Sequence, residues 1–143
     1  DLFAGTGALG LEALSRGAAQ AVFVDQGTEA TRIIRANILK LGVSEQSRVI
    51  HGEVGQVVGW LVQQQSLFDL IFLDPPYGQG FIEATLPSLA RLAHPETLLV
   101  AEHPAKERLP AEIASWHSIE TRSYGNTAIT FYLIVSSAIP VSS

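Results

Sequence analysis

The chain has 143 residues, 47% of them hydrophobic, with 12 Gly, 7 Pro, no Cys and a formal charge of −5. This length supports one well-buried core and predicts a single domain over 1–143. The composition excludes disulfides and thiolate metal sites, no apolar run is long enough for a membrane helix, and no basic face marks this segment by itself as a nucleic-acid binder.

The start, "DLFAG", reads as a strand (1–3) that runs into a glycine turn. No Met occurs anywhere, so the sequence reads as an N-terminally truncated piece lacking the body of its first strand. After Ala8, Leu11 and Leu14 share the face of a first helix that stops at Gly17. "AVFVD" (21–25) is the second strand. From Thr28 as N-cap, Ala30, Ile33, Ile34, Ile38 and Leu41 keep the 3.6 period up to Gly42. "RVIHG" (48–52) is the third strand, followed by a helical stripe of Val57, Val58, Leu61 and Val62. "FDLIFLD" (68–74) is the fourth strand. Phe81, Ile82, Leu86, Leu89, Ala90 and Ala93 then predict a helix kinked at Pro87. "TLLVAE" (97–102) is the fifth strand. "HSIETRSY" (117–124) and "AITFYLIV" (128–135) flank "YGNT", whose Gly-Asn pair signals a hairpin. The tail 136–143, "SSAIPVSS", is expected to be flexible. Strands alternating with helices imply βαβ units and an α/β fold, with a mostly parallel sheet closed by an antiparallel hairpin.

"GTGALG" (5–10) matches G-x-G-x-x-G between a strand and a helix. Glycines allow a tight turn and a close approach to a ligand, and the helix N-terminus offers free N–H donors. Asp25 follows Gly5 by twenty residues, at the end of the second strand, where a carboxylate can accept both hydroxyls of a ribose. The plain alternative is a tight βα turn with an ordinary strand-end Asp. The motif does not choose between NAD and S-adenosyl-L-methionine, since both carry an adenosine ribose. Three features favour the methyl donor. Asp1 stands four residues before Gly5, placed to face the donor's amino-acid part; the fourth strand ends in "DPPY"; and the sheet ends in an antiparallel hairpin.

Two prolines in a row stop any ladder or helix, and the residue before a proline is held extended. Asp74, Pro75, Pro76 and Tyr77 therefore form a rigid corner presenting a carboxylate, free carbonyls and a ring. In an open α/β sheet the carboxyl ends of the strands line the ligand crevice, which would bring this corner beside "GTGALG". That suits methyl transfer to an exocyclic amine. Asp74 and the carbonyl of Pro75 accept its two hydrogens and localise its lone pair, while Tyr77 stacks on an unpaired or flipped base. The plain alternative is a capped strand end with a half-buried Tyr.

Other residues carry weaker signals. Glu53, in "HGEV" with Val54, either approaches an adenine or is a solvated helix-start Glu. Glu102 and His103 suit structural or polar-surface roles, and Arg32, Arg35 and Lys40 a solvated helix face. His51, His94, His103 and His117 have no ligand-like spacing, so no metal is expected. With no signal peptide visible and no Cys, the cytoplasm is the expected compartment.

Together "DLFAGTGALGLEALSRGA", "VFVD", "DPPYG", "AEH" and "YGNTAITFY" resemble the bacterial 16S ribosomal RNA guanine-N2 methyltransferases of the RsmD type, from Asp1 to about Leu133. The resemblance implies a class I methyltransferase fold, Rossmann-like and seven-stranded, in the order 3-2-1-4-5-7-6. It implies S-adenosyl-L-methionine as donor and a guanine of 16S rRNA, in an assembling small ribosomal subunit, as acceptor. Carried over by position, Phe3, Ala4, Gly5, Thr6, Gly7 and Ala8 cradle the methionine part, Asp25 holds the ribose, and Asp74 to Tyr77 hold the guanine. Gln26, Glu53 and Val54 complete the cofactor-binding set, with Glu53 towards the adenine. The family more often has Asp where Glu53 stands. It also has an N-terminal segment to which RNA binding is ascribed, which accounts for the acidic charge here. Alternative readings are an amino-methyltransferase acting on DNA adenine N6 or protein glutamine, an NAD-dependent oxidoreductase, and a catalytically silent binding module.

Overall fold

The strand predicted at 1–3 shrinks to one residue. In a computed structural model of the chain, which describes residues 1–78 and 80–135, Leu2 alone forms parallel bridges, to Val24 and to Leu73. Phe3 takes a left-handed φ of 59° and turns the chain out of the ladder at once. The described residues fall into two compact units, Asp1–Trp60 with Phe72–Asp74, and Leu61–Ile71 with those between Pro75 and Val135; the tail 136–143 lies outside the described residues.

In the first unit α1 (Ala8–Ser15) follows the glycine turn and leads to β1 (Ala21–Asp25). β1 pairs in parallel with β2 (Ser47–His51), Ala21 opposite Ser47 and Asp25 opposite His51. Between them α2 (Thr28–Leu41) buries Thr31, Ile34 and Ile38, residues that recur on one helical face. Ile34 and Ile38 close on Phe23 in a core flanked by Ala4, Leu11 and Leu14. Gly42 ends α2 in the left-handed conformation. Thr28 is not the N-cap expected of it: Gly27 holds that place, Thr28 is the first helical residue, and no side chain caps the end. α3 (Val54–Gln63) starts in this unit with Val54, Val57 and Val58 buried.

The second unit holds α4 (Phe81–Leu89) and most of the remaining strands. The helix expected to reach Ala93 stops at Leu89 and gives way to a single 3₁₀ turn, Ala90–Leu92. Pro87 has no N–H to bond back along the helix, which weakens its last turn. β4 (Ala93–Pro104) consequently begins four residues earlier than expected. It pairs antiparallel with β7 (Thr127–Ile134), β7 with β6 (Trp116–Tyr124), and β6 with the short β5 (Glu112–Ile113). The order in this sheet is β3-β4-β7-β6-β5, where β3 is Phe68–Leu73. Gly125, at φ 61°, makes the tight turn that "YGNT" predicts. Trp116 and Tyr132 are fully buried; the indole N–H donates to the Leu86 carbonyl at 2.9 Å, and the Tyr132 hydroxyl to the Pro110 carbonyl at 2.8 Å.

The fold is α/β with a mixed set of strands: Leu2 bridges Val24 and Leu73 in parallel, while the ladders beyond β4 are antiparallel, so the seven-stranded, mostly parallel sheet expected is met only in part. Among the described residues β1 and β2 form a two-stranded parallel sheet, and the five-stranded sheet carries the antiparallel ladders. The expected hairpin is present: β6 and β7 pair antiparallel and β7 adds to the edge of β4, and the short β5 extends the sheet by one more antiparallel pair.

Candidate active site

The glycine turn is built by backbone contacts from several directions. Gly5 and Gly7 have φ of 61° and 82°, values that an L side chain resists. The Gly7 N–H closes the turn on the Ala4 carbonyl at 2.8 Å, and the Ala4 N–H donates to Val24 at 3.0 Å. Asn37 on α2 donates through Nδ2 to the Thr6 carbonyl at 2.9 Å, fixing the tip. Gly10 is required by packing: a Cβ there would lie 2.4 Å from Cε1 of Phe23. α1 can approach β1 only because that position has no side chain.

Asp25 joins two loops. One carboxylate oxygen accepts the Gly5 N–H at 2.9 Å and the other the Gly27 N–H at 2.8 Å. An ionised carboxylate has about four acceptor positions, so two further donors can still be held. Gln26 beside it accepts the ring N–H of His51 through its carbonyl at 2.9 Å, with Nε2 carrying the hydrogen. Asp1 turns its carboxylate to the start of α1, where it accepts the Gly10 N–H at 3.0 Å. A negative group there suits the positive end of the helix. Glu53 caps α3, accepting the N–H groups of Gly55 and Gln56 at 2.8 and 3.0 Å. Asp74 belongs to the same unit. Its N–H donates to the Leu2 carbonyl at 3.4 Å, and the Leu2 N–H to Phe72 at 2.9 Å. The first unit thus gathers Asp1, the glycine turn, Asp25 and Asp74 around Leu2 and the end of β1.

In the second unit Pro75 is buried, whereas Pro76 and Tyr77 are exposed. The Tyr77 hydroxyl meets the Thr127 hydroxyl at 3.1 Å, so the ring is held by the first residue of β7. Pro75, Tyr77, Phe81, Glu102 and His103 help line a cavity of about 10 Å³, room for a water and nothing larger. His103 is buried. Its Nδ1–H donates to the Pro104 carbonyl at 3.0 Å, and its Nε2 is hydrogen-bonded to the Thr130 hydroxyl at 2.7 Å. Thr121 joins Thr130 at 3.0 Å, and the network holds β4, β7 and β6 together.

Sequence reasoning missed Thr127 and Asn37. The signal for Thr127 was the last letter of "YGNT", which served only as a turn motif. Asn37 gave none, being one polar residue on a helix face. Among the described residues no three His, Cys, Asp or Glu gather to hold a metal ion, and no helix is long and apolar enough to cross a membrane.

The chemistry of the first unit fits S-adenosyl-L-methionine. Asp25 has acceptor capacity for a diol, α1 opens its N-terminus beside the glycine turn, and at Gly5 a side chain would project into open space. This is the fold of S-adenosylmethionine-dependent methyltransferases. Within that class the chain belongs to the family described as conserved hypothetical protein 95, whose model matches residues 1–133. It is 31% identical over 134 residues to the protein YlbH of Bacillus subtilis strain 168, covering 92% of this chain and 73% of that one. It is 32% identical over 135 residues to ribosomal RNA small subunit methyltransferase D of Escherichia coli K12, covering 92% of this chain and 66% of the other. The solved structure of a conserved hypothetical protein from Streptococcus pyogenes superposes with a TM-score of 0.86 at 34% identity, over 94% of this chain and 84% of that one.

Proposed function

We propose that this protein transfers a methyl group from S-adenosyl-L-methionine to the exocyclic N2 amine of a guanine in 16S rRNA of the small ribosomal subunit. Its relatives include an enzyme named for methylation of small-subunit ribosomal RNA. The observation that carries the reading is the position of Asp74: its backbone is bonded to Leu2, two residues before the glycine turn begins to close at Ala4. The acid that would grip the amine is thereby fixed in the unit that holds the donor-binding groups.

When bound, S-adenosylmethionine supplies a methyl group on a sulfonium centre. Asp25 uses its remaining lone pairs on the ribose hydroxyls, while its bonds to Gly5 and Gly27 keep it from turning away. Phe3, Ala4, Thr6, Gly7 and Ala8 shape the backbone around the methionine part, with Asp1 at the mouth of α1. Gln26, Glu53 and Val54 border the nucleoside end. Val54 is itself buried and acts through its backbone, and Glu53 acts first as the cap of α3. An aryl amine is a poor nucleophile because its lone pair is delocalised into the ring. Asp74 and the Pro75 carbonyl accept hydrogen bonds from its two N–H groups and return that pair to the nitrogen, an orientation effect of the kind that lowers barriers most. The nitrogen that gains the methyl would release one proton, to the Asp74 carboxylate or to water, and the donor would leave as S-adenosylhomocysteine. Tyr77 stacks on the guanine, which must be unpaired or flipped to reach it.

Calorimetry with S-adenosylhomocysteine and with NAD tests the cofactor. Methyl incorporation into small-subunit particles, followed by nucleoside analysis, tests the acceptor. N2-methylguanosine is the expected product. Binding of NAD in place of S-adenosylhomocysteine would refute the reading.

A further inference from the structure

Beside Tyr77 lies a groove of about 640 Å³ that the proposed reaction touches only through the Tyr77 ring. It is lined by Tyr77, Gly78, Pro104, Ala105, Lys106 and Asn126. Its volume falls in the range of about 300–1,000 Å³ typical of small-ligand clefts. Its walls are held in place by two backbone bonds. The Ala105 N–H donates to the Asn126 carbonyl at 2.8 Å, and the Glu107 N–H to Pro104 at 3.0 Å, closing the turn that displays Lys106.

The charge of the groove is unlike that of the chain. The protein has 14 acidic and 9 basic residues, yet none of the six lining residues is acidic and one is a lysine. Arg16, Arg32 and Arg122 are paired with Glu12, Glu29 and Glu120; Lys106, like Arg35, Lys40, Arg91 and Arg108, forms no ion pair among the described residues, and it is the one of these that lines the groove. Lys106 and Asn126 are both exposed, and Asn126 spends its backbone carbonyl on Ala105, leaving its side-chain amide for a ligand. Beside the ring that stacks on the guanine, the groove thus offers an amide that can both donate and accept, and an ammonium group. These are groups that a nucleotide engages through its base edge and its phosphate.

We propose that this groove binds the nucleotide adjacent to the target guanine, with Lys106 on its phosphate and Asn126 on its base edge. The inference rests on the methyltransferase reading and assigns that reading a second RNA subsite. A flipped guanine drags its neighbours' backbone with it, and a cation beside the stacking ring would hold the strand in its distorted course.

The test compares the protein with its K106Q, K106R and K40Q variants. Methyl incorporation is titrated against small-subunit particles at several salt concentrations, and S-adenosylhomocysteine binding is measured separately by calorimetry. Lys40 lies on α2, outside the groove, and K40Q controls for the change in net charge. The expected result is a rise of about 3- to 10-fold in KM for K106Q, with a salt slope shallower by about one phosphate contact. K106R and K40Q should match the parent protein. KM and salt slope equal to the parent's in K106Q, or changed as much in K40Q, would overturn the subsite while leaving the methyltransferase reading intact. A parent protein that binds no S-adenosylhomocysteine and methylates no RNA would overturn both.

Discussion

Tyr77 and Thr127 stand fifty residues apart, and their hydroxyls meet at 3.1 Å. A tyrosine at a proline corner would otherwise swing freely about two side-chain bonds. Anchoring the phenol to the start of β7 restricts that swing, which would set the ring for the stacking role proposed for it.

This gives the first prediction. Thr127→Val keeps the shape and the strand propensity of the residue but removes the hydroxyl. Losing one neutral hydrogen bond is worth about 1 kcal/mol, so kcat/KM for the RNA should fall roughly 5- to 10-fold. S-adenosylhomocysteine affinity should not change, and Thr127→Ser should restore the rate. If Thr127→Ser is as slow as Thr127→Val, the hydroxyl pair is not what matters.

Much of this arrangement was legible from the sequence. The "GTGALG" turn, Asp25 at the end of β1, the α2 stripe through Ile34 and Ile38, and the hairpin at Gly125 all follow from spacing and turn chemistry. Those signals are local, and local physics decides them. What spacing could not reveal depends on contacts far along the chain. Glu53 looks the same whether it caps α3 or waits for an adenine, and only the positions of the Gly55 and Gln56 amides show that it caps. Thr127 acquires its role from a residue fifty positions away. The extent of β4 was misjudged because "AHPE" has a proline and polar residues, whereas pairing within the sheet overrides weak propensity.

Gly10→Ala should destabilise the protein. Alanine is the better helix former by about 1 kcal/mol, which alone would favour the change. Against this, the new Cβ would sit 2.4 Å from the Phe23 ring, and overpacking of this kind typically costs about 1–3 kcal/mol. The clash should win, giving a lower urea midpoint. Phe23→Leu in the same chain should recover part of the loss. A raised midpoint in Gly10→Ala alone would show that the ring moves aside easily.

Asp25→Ala should act on both cofactor and fold. It removes the acceptor proposed for the ribose, and hydrogen bonds to a charged group are worth about 1.5–3 kcal/mol each. It also releases the Gly5 and Gly27 amides. Calorimetry should show weaker S-adenosylhomocysteine binding, and urea unfolding a lower midpoint. An unchanged dissociation constant would place the ribose elsewhere.

Alkaline pH should destabilise the protein through Tyr132. Burial, reinforced by the charge of Glu83, raises its hydroxyl pKa from 10.0 to about 12. Below pH 10 both the folded and unfolded chains keep the proton, so the residue adds no pH dependence. Between the two values the unfolded chain has lost a proton that the folded one retains, so stability falls as pH rises. Tyr132→Phe should be less stable at neutral pH, having lost the bond to Pro110, yet show a shallower decline across that window. Parallel pH curves for the two proteins would contradict this.

The central claim is that Asp74 aligns an acceptor amine and does not hold the donor. It is tested most directly by Asp74→Ala, with single-turnover methyl transfer to small-subunit particles and S-adenosylhomocysteine calorimetry measured on the same preparation. An interaction made mainly in the transition state lowers the rate without loosening the ground-state complex. The predicted result is donor affinity within about twofold of the parent protein and a transfer rate at least 100-fold lower, a loss of about 2.7 kcal/mol or more. Collapsed donor affinity with a preserved rate per bound donor would make Asp74 a cofactor ligand and contradict the account.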